Sequence, residues 1–309
     1  MTNILLAGRV PQDCLDELDQ RFDVFKLYEA EDKDAFLAEH GVKIDGMTGG
    51  GVDVALMDAL PNLKIIANYG VGYDAVDVVG AQERGIRVTN TPNRLNAAVA
   101  ELTLGLMVSL ARNMPAADKY VRDNRWTSEG SMPLTAQLAG ARVGILGLGR
   151  IGKAIAVRCT AFDMEVAYHG RNEQEDQPYH YYADLAEMAA NVDWLVIIAP
   201  GGAETDKIVS REVLEALGSK GSLVNIARGG LVDQSALIEL LANGALRGAA
   251  LDVFDGEPEV PEALRQMDNV VLSPHNGSAT RQTRYQMSMQ VVENLSTYFE
   301  SGDLLDKVI

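Results

Sequence analysis

The segment at residues 142–152, RVGILGLGRIG, restricts the possible folds more than any other part of the chain. An apolar, strand-like run enters the string GLGRIG, and an alanine-rich, helix-like run follows it. A GxGxxG string alone is a weak signal, because such strings occur by chance in glycine-containing loops. A strand before it and a helix after it are the context of the phosphate-binding turn in dinucleotide-binding folds. The segment therefore predicts a strand–turn–helix unit that binds a dinucleotide.

Each of the three glycines in this turn has a separate predicted task. Gly147 permits the tight turn, Gly149 lets the backbone come close to a pyrophosphate, and Gly152 lets the helix pack against the strand. The free N–H groups at the start of the helix would bind the phosphates, because the helix dipole favours an anion there. The simpler alternative, glycines that serve only a turn, is disfavoured by the flanking strand and helix.

Short apolar runs rich in β-formers alternate with longer amphipathic runs along the whole chain, which is typical of βαβ units and parallel sheets. The first series of predicted strands comprises residues 4–8, 24–27, 46–48, 63–67 and 87–89, with predicted helices that include 12–21 and 32–40. The second series comprises residues 142–146, 165–168, 194–198, 223–226, 248–251 and 270–272. We therefore predict an α/β protein with two Rossmann-like domains, each a doubly wound parallel sheet.

The boundary between the domains is predicted from the segments that flank the second series. Residues 97–111 form an almost entirely apolar run of 15 residues, shorter than the ~20 residues of a membrane-spanning helix. We predict a buried helix that links the domains or lies at a subunit interface. A predicted helix at 284–300 follows the last strand, and we expect it to return to the first domain. The predicted domains are 1–96 with 284–309, and 97–283, with a hinge cleft between them.

Composition excludes several classes of protein. The chain has 309 residues, 47% apolar and 23% charged, as in a globular protein of about two domains. Its 27 Lys and Arg against 44 Asp and Glu give a net charge of −17, which argues against nucleic-acid binding through bulk charge. The two cysteines, Cys14 and Cys159, cannot form a disulfide scaffold, and the first residues do not resemble a signal peptide. We therefore expect a cytoplasmic protein that binds neither nucleic acid nor membrane.

The end of the strand after the glycine-rich turn indicates which dinucleotide is preferred. An NAD site usually has Asp or Glu there to bind the ribose hydroxyls, whereas residues 167–172 read AYHGRN. Arg171 can instead pair with a 2′-phosphate, with His169 and Asn172 as additional contacts. We therefore predict a preference for NADP(H), with NAD(H) possible. The alternative is that Arg171 is only a solvated loop charge.

Three further strings follow predicted strands of the second series. They are NIARGG at 225–230, LDVFDGEP at 251–258 and SPHNGSAT at 273–280, and they contain Arg228, Glu257 and His275 respectively. Each residue alone has an ordinary structural interpretation: an ion pair, a solvated acid or a histidine in a turn. Because parallel strands end at one edge of a sheet, where open α/β folds bind ligands, we expect the three side chains to form one set for hydride transfer beside the nicotinamide.

Taken in order, the strings GLGRIG, NIARGGLVD, ALDVFDGEP and SPHNGSAT resemble the successive signatures of the D-isomer-specific 2-hydroxyacid dehydrogenases. The strings NYGVGYD at 68–74 and TP at 91–92 resemble signatures of the same family, so that the match covers nearly the whole chain. Among subfamilies, the chain is most similar to the NADPH-dependent glyoxylate/hydroxypyruvate and hydroxyphenylpyruvate reductases, through PLT at 133–135 and the acid-free segment 169–171. The resemblance implies a flavodoxin-like substrate domain beside the dinucleotide-binding domain, and a homodimer.

The resemblance implies that Arg228, Glu257 and His275 form an active site that reduces a 2-keto acid. His275 would give a proton to the carbonyl oxygen, and Glu257 would hold the ring and stabilise the imidazolium. Arg228 offers a fork of donors to the substrate carboxylate and the carbonyl. The backbone of Val71 and Gly72 would add N–H groups to the same carboxylate, so that the substrate is bound by Val71, Gly72, Arg228 and His275.

The same resemblance implies further cofactor contacts, and we predict no metal site. The contacts are Arg150 and Ile151 at the pyrophosphate, Ala199, Pro200 and Thr205 along the cofactor, and Ala227 and Asp252 at the nicotinamide amide. The chain departs from the family at two places: Gly201 and Gly202 follow Pro200 where Pro-Leu is common, and Asn276 stands where isoleucine is frequent.

We therefore expect NADPH-dependent reduction of a small anionic 2-keto acid, of the glyoxylate or hydroxypyruvate type, to the D-2-hydroxy acid. One alternative is an NAD-dependent dehydrogenase of another D-2-hydroxy acid. Another, from a different class, is a dinucleotide-sensing binding protein similar to the transcriptional corepressors that share this fold.

Overall fold

A computed structural model describes the whole chain, Met1–Ile309, which folds into two compact units. Unit 1 comprises Met1–Leu95 with Ala279–Ile309, and unit 2 comprises Asn96–Ser278. The boundaries of the units thus lie one and five residues before the boundaries that we predicted after residues 96 and 283. None of the helices is both long enough and apolar enough to span a membrane.

Unit 1 is built around a five-stranded parallel sheet. Its strands are β1 (Asn3–Leu6), β2 (Asp23–Lys26), β3 (Gly46–Thr48), β4 (Ile65–Ala67) and β5 (Arg87–Thr89). Their spatial order is β2-β1-β3-β4-β5, which is the flavodoxin-like order. The helices are α1 (Gln12–Arg21), α2 (Lys33–His40), α3 (Val54–Asp58), α4 (Val78–Glu83) and the last helix of the chain, α13 (Arg281–Ser301).

Alternating apolar residues of the unit 1 strands fill a core on each face of the sheet. On one face, Ile4 and Leu6 of β1 pack in a buried cluster that includes residues of α1 and α13. On the other face, Leu5 packs in a second cluster that includes residues of β3, α3 and α4. Beyond α13, the C-terminal residues pair antiparallel with β5, because Lys307 lies opposite Thr89 and the Val308 N–H donates to the Val88 carbonyl at 2.8 Å. The C-terminus thereby covers the β5 edge of the sheet.

Unit 2 contains a seven-stranded parallel sheet in the order β12-β11-β10-β9-β6-β7-β8. Its strands are β6 (Arg142–Leu146), β7 (Glu165–His169), β8 (His180–Tyr182), β9 (Trp194–Ile197), β10 (Ser222–Asn225), β11 (Gly248–Leu251) and β12 (Val270–Leu272). Its helices are α5 (Asn96–Ala111), α6 (Met114–Arg122), α7 (Arg125–Glu129), α8 (Arg150–Ala161), α9 (Leu185–Ala190), α10 (Arg211–Leu217), α11 (Gln234–Ala242) and α12 (Glu262–Arg265). The chain runs outward from β6 to β8, then crosses to β9 and runs to β12, as in dinucleotide-binding sheets.

The predicted strands lie where expected, with ends displaced by at most two residues, except that strand β8 was not predicted. This strand has only three residues, of which His180 is exposed and Tyr181 and Tyr182 are half-buried. At the edge of the sheet it therefore lacks the apolar run that marks a buried strand. The helix predicted at 97–111 begins one residue earlier, and the helix predicted at 284–300 extends over Arg281–Ser301.

Several helices begin at a residue whose side chain caps the first turn. The cap accepts a hydrogen bond from a backbone N–H three residues later at Asp32, Asp53, Asp77, Asp184, Asp233 and Thr280. Such a cap stabilises a helix by ~1 kcal/mol, which matters most for short helices such as α3 and α4. By contrast, helix α8 begins at Gly149 with no side-chain cap.

Candidate active site

The glycine-rich turn connects the end of β6 to the start of α8. Gly147 has a φ of 101°, and a Cβ atom there would lie 2.9 Å from the backbone nitrogen of Ala199. A Cβ atom on Gly152 would lie 2.1 Å from the carbonyl oxygen of Gly147. Neither position has room for a side chain, because the turn packs directly against the end of β9 and against its own helix.

The start of α8 leaves backbone donors without acceptors. The first hydrogen bond of the helix runs from the Lys153 N–H to the Gly149 carbonyl at 2.8 Å, and the N–H groups of Arg150, Ile151 and Gly152 have no acceptor within the chain. A Cβ atom on Gly149 would meet nothing within 4 Å, so the space next to this residue is open. Uncapped donors beside open space at a helix N-terminus fit a dinucleotide pyrophosphate.

The segment that follows β7 contains the residues predicted to select the cofactor. The Nδ1 atom of His169 lies 2.9 Å from the carbonyl oxygen of Tyr182, so the ring is anchored to β8. Arg171 and Asn172 are exposed, and Arg171 forms no ion pair within the chain. No acidic residue stands at the tip of the strand, since Glu165 lies at its beginning. The segment therefore offers an exposed guanidinium and no carboxylate at the end of β7.

Gln174 contacts the glycine-rich turn and was not among the predicted site residues. Its side-chain amide donates to the carbonyl oxygen of Leu148 at 2.9 Å, and its backbone N–H donates to the hydroxyl of Tyr168 at 2.6 Å. These two bonds fix the segment after Arg171 against the turn. Nothing in the local sequence indicates this contact, because Leu148 is 26 residues away.

Ala199, Pro200 and Thr205 lie in the loop after β9. The Ile198 N–H donates to the Leu146 carbonyl at 2.9 Å, which continues the pairing of β9 with β6 up to the glycine-rich turn. The hydroxyl of Thr205 lies 2.8 Å from the Pro200 carbonyl and 3.2 Å from the Gly202 carbonyl. Ala199 thus borders the turn, and Thr205 closes the loop that contains Gly201 and Gly202.

Arg228 follows β10 and is positioned by its neighbour Asn225. The side-chain amide of Asn225 donates to the Arg228 carbonyl at 2.8 Å, and its Oδ1 atom accepts from the Ala227 N–H at 3.1 Å. Asn225 is buried. The guanidinium of Arg228 donates to the Ala227 carbonyl at 2.7 Å. The buried amide therefore sets the backbone of Ala227 and Arg228 at the carboxyl end of the strand.

His275 and Glu257 come together from the loops after β12 and β11. The Nδ1 atom of His275 lies 2.7 Å from Oε2 of Glu257, and because a carboxylate only accepts, the ring donates its Nδ1 proton. The Oε1 atom of Glu257 accepts from the Phe254 N–H at 3.0 Å, which fixes the carboxylate. The Nε2 atom of His275 has no partner within the chain. The ring therefore presents one free nitrogen while the other is held.

Asp252 organises the turn that contains His275. Its buried carboxylate accepts from the Ser273 hydroxyl at 2.5 Å, the Asn276 N–H at 2.7 Å and the Gly277 N–H at 2.8 Å. The His275 N–H donates to the Asp252 carbonyl at 2.8 Å, and the φ of His275 is 52°. Asp252 thus holds His275 in a left-handed conformation, a task that sequence reasoning missed. Its Oδ2 atom accepts from the Gly277 N–H and can accept a further hydrogen bond, as the predicted contact to the nicotinamide amide requires.

The sheet order explains why three residues far apart in sequence lie in neighbouring loops. Strands β10, β11 and β12 are adjacent and parallel, so the loops with Arg228, Glu257 and His275 emerge side by side at one edge. Val71 and Gly72 belong to unit 1, in the loop that follows β4. No group of three or more His, Cys, Asp or Glu side chains could hold a metal ion.

Comparison with known proteins identifies relatives over almost the whole chain. Residues 104–277 match the model of the family described as D-isomer specific 2-hydroxyacid dehydrogenase, NAD binding domain. The chain is 45% identical to hydroxyphenylpyruvate reductase of Plectranthus scutellarioides over 296 residues, covering 95% of this chain and 94% of that protein. It is 44% identical to glyoxylate/hydroxypyruvate reductase A of Arabidopsis thaliana, with the same coverage of both.

Solved structures of the same family are also similar to this chain. The NADPH-dependent glyoxylate/hydroxypyruvate reductase of Sinorhizobium meliloti, in complex with NADP and malonate, is similar with a TM-score of 0.94 and 43% sequence identity. The similarity covers 99% of this chain and 96% of that chain. It therefore extends over both units.

Proposed function

The chain belongs to the D-isomer specific 2-hydroxyacid dehydrogenase family, and from this we propose that it reduces a small 2-keto acid, of the glyoxylate or hydroxypyruvate type, to the D-2-hydroxy acid with NADPH. The observation that carries the proposal is the His275–Glu257 pair, with 2.7 Å between Nδ1 and Oε2 and a free Nε2 atom. The names of the Arabidopsis and Sinorhizobium relatives support the choice of substrate.

The proposed reaction adds a hydride to the carbonyl carbon and a proton to the carbonyl oxygen. Bound NADPH supplies the hydride. Protonated His275 gives its Nε2 proton to the oxygen as negative charge grows there. The carboxylate of Glu257 accepts a hydrogen bond from the Nδ1–H group of His275. This bond keeps the ring in place and stabilises the imidazolium before the transfer. The pair therefore acts as a positioned general acid.

Binding an anionic substrate requires local positive potential in a chain whose net charge is −17. We propose that Arg228 supplies it through bonds to the substrate carboxylate and the carbonyl oxygen. The backbone N–H groups of Val71 and Gly72 would bind the same carboxylate. Both have no acceptor within the chain, which supports this role.

Cofactor binding is proposed at the glycine-rich turn and the loops around it. The N–H groups of Arg150 and Ile151 would bind the pyrophosphate, Ala199, Pro200 and Thr205 would line the cofactor, and Ala227 and Asp252 would bind the nicotinamide amide. The exposed Arg171, with His169 and Asn172, would bind the 2′-phosphate. A carboxylate at the end of β7 would repel that phosphate, and its absence supports NADPH over NADH.

The proposal can be tested with a panel of 2-keto acids, each assayed with NADPH and with NADH. The rate is measured as the loss of absorbance of the reduced cofactor. We expect turnover of glyoxylate and hydroxypyruvate, with a higher kcat/KM for NADPH. Arg171→Ala should raise the KM for NADPH far more than the KM for NADH, whereas Arg265→Ala, at the end of α12, serves as a control. A higher kcat/KM with NADH would favour the NAD-dependent alternative. If the rate stays at background with every acid, the result would favour the alternative of a dinucleotide-sensing binding protein.

The proposal includes a homodimer. Helices α6 and α7 and the segment after them expose large apolar side chains, namely Met114, Val121, Trp126 and Leu134, the last of them fully exposed at 102%. Exposed apolar side chains that lie close together in the sequence favour an interface with a second copy of the chain.

Light scattering coupled to size-exclusion chromatography should give a mass of twice the 33.4 kDa of one chain. The substitution Trp126→Glu should shift the measured mass toward that of one chain. A wild-type mass of one chain would contradict this part of the proposal.

The proposed compartment is the cytoplasm. Both cysteines, Cys14 and Cys159, are free and buried, and free thiols are typical of proteins in a reducing compartment. Fractionation of the cells that make the protein, with the keto-acid activity as marker, tests this assignment.

A further inference from the structure

We propose that Asn68 and Asn90 are positioning residues that orient the N–H groups of Val71 and Gly72 toward the substrate carboxylate, an inference that rests on the proposed function. Both asparagines lie directly after strands of unit 1, Asn68 after β4 and Asn90 after β5. Neither would touch the reacting atoms. Their effect would pass through the backbone of the loop between them.

Two side-chain amides bind the carbonyl groups of three consecutive residues in this loop. The Nδ2 atom of Asn68 donates to the Gly70 carbonyl at 3.1 Å and to the Gly72 carbonyl at 2.9 Å. The Nδ2 atom of Asn90 donates to the Val71 carbonyl at 2.9 Å. All three carbonyl oxygens of the segment therefore have a partner from one of the two asparagines.

Binding the carbonyl groups fixes the direction of the N–H groups. The single cis peptide bond of the chain lies elsewhere, at Glu257–Pro258, and in a trans peptide the N–H points opposite to the C=O. Holding the carbonyls of residues 70–72 therefore orients the N–H groups of Val71, Gly72 and Tyr73 away from the asparagine amides. None of these three N–H groups has an acceptor within the chain. Successive free backbone N–H groups are a known way to bind an anion.

The asparagines are themselves held by the sheet and by α13. The Asn68 N–H donates to the Thr89 carbonyl at 2.8 Å, and the Asn90 N–H donates to the Asp306 carbonyl at 3.2 Å. The Asn90 carbonyl accepts from the buried side-chain amide of Asn294 at 3.0 Å. The loop therefore takes its conformation from strands β4 and β5, from the last helix and from the C-terminal segment that follows it.

The test compares Asn68→Ala and Asn90→Ala with a matched control, Asn62→Ala. Asn62 belongs to the same unit and its amide also donates to a backbone carbonyl, that of Val42 at 2.6 Å. We expect Asn68→Ala and Asn90→Ala to raise the KM for glyoxylate, and the Ki of oxalate as a carboxylate probe, by roughly tenfold. The KM for NADPH should stay within about twofold and kcat within about threefold, because the chemistry and the cofactor site are untouched.

A purely structural role for the asparagines would give a different pattern. It would lower the melting temperature, as in the control, and leave the KM for glyoxylate and the Ki of oxalate at the level of Asn62→Ala. That result overturns the inference. Asn68→Asp keeps the shape of the side chain but removes the amide that donates to the Gly70 and Gly72 carbonyls. It therefore serves as a second test if Asn68→Ala does not fold. We expect its KM for glyoxylate to rise further than that of Asn68→Ala.

Failure of the proposed function can be told apart from failure of this inference. If the wild-type protein reduces no keto acid, the proposed function is wrong, and calorimetric titration with oxalate in the presence of NADPH still measures carboxylate binding. Weaker oxalate binding in Asn68→Ala than in Asn62→Ala would support the positioning role. Equal binding, or no binding by the wild type, would overturn it.

Discussion

At the scale of single residues, two carboxylates control the candidate general acid. Glu257 binds the ring of His275 through Nδ1, whereas Asp252 binds the turn on which the ring stands through three hydrogen bonds. Glu257 sets the orientation of the imidazole, and Asp252 sets the conformation of the backbone that presents it. The two effects can be separated by substitution.

Replacing the imidazole should remove proton transfer and little else. In His275→Asn we expect kcat for glyoxylate to fall by about 10²–10⁴-fold, the typical contribution of a general acid. The dissociation constant of NADPH, measured by fluorescence titration, should be nearly unchanged because the glycine-rich turn is intact. A kcat within tenfold of the wild type would contradict the assigned role.

Replacing the Asp252 carboxylate should disturb the turn instead. In Asp252→Asn an amide NH₂ would face groups that donate hydrogen bonds, so we expect a loss of about 1–3 kcal/mol of unfolding free energy together with a lower kcat. Urea unfolding and steady-state kinetics measure the two effects. Asp255→Asn is the control, since this side chain lies in the same loop after β11 but is exposed. Stability and kcat equal to the control would show that Asp252 does not hold the turn.

At the scale of elements, the β6–turn–α8 unit uses its glycines in two ways. Gly152 has no room for a methyl group, which would lie 2.1 Å from the Gly147 carbonyl, whereas Gly149 has nothing within 4 Å. The first glycine is required by the packing of the chain on itself. The second is required only when a ligand occupies the space beside the helix start.

The two glycines should therefore respond differently to alanine. Gly152→Ala should lower the melting temperature strongly, because the turn and helix must move apart. Gly149→Ala, with a φ of −79° that alanine adopts readily, should keep the wild-type melting temperature and weaken NADPH binding by roughly tenfold or more. Thermal unfolding without ligand and NADPH titration measure these effects. Unchanged NADPH affinity in Gly149→Ala would mean that the pyrophosphate lies elsewhere.

At the scale of the whole molecule, each unit contains one buried thiol. Burial raises the pKa of Cys14 in unit 1 to about 12, although a hydrogen bond to Ser288 opposes part of this effect. Burial likewise raises the pKa of Cys159 in unit 2 to about 12. The thiolate is the reactive form, so both thiols should be inert in the native protein at neutral and mildly alkaline pH.

Thiol labelling should consequently report the unfolding of each unit separately. At pH 8 we expect no reaction of the native protein with a disulfide reagent, and complete reaction of both cysteines in concentrated urea. Mass spectrometry of tryptic peptides, at intermediate urea, assigns the labelled fraction to Cys14 or Cys159. Rapid labelling of either residue in the native protein would contradict the burial that raises its pKa.

Much of the fold could be predicted because its signals are local. Buried strands such as β6 and β9 are continuous apolar runs, and Gly152 is required by a contact with Gly147, only five residues earlier. The edge strand β8 could not be predicted, because half-buried tyrosines after an exposed histidine give no apolar run. Family resemblance supplied the roles of Arg228, Glu257 and His275, which local pattern alone left open.

The sequence by itself determined the two sheets, the dinucleotide turn and the types of the reactive side chains. Only the tertiary structure decided the partners: Asp252 with the turn of His275, Gln174 with Leu148, and Asn90 with Val71. The physical reason is the distance along the sequence over which each interaction acts. Strand, turn and cap preferences arise within a few residues, whereas these hydrogen bonds join loops 19 to 26 residues apart, and their geometry depends on which strands become neighbours in the sheet.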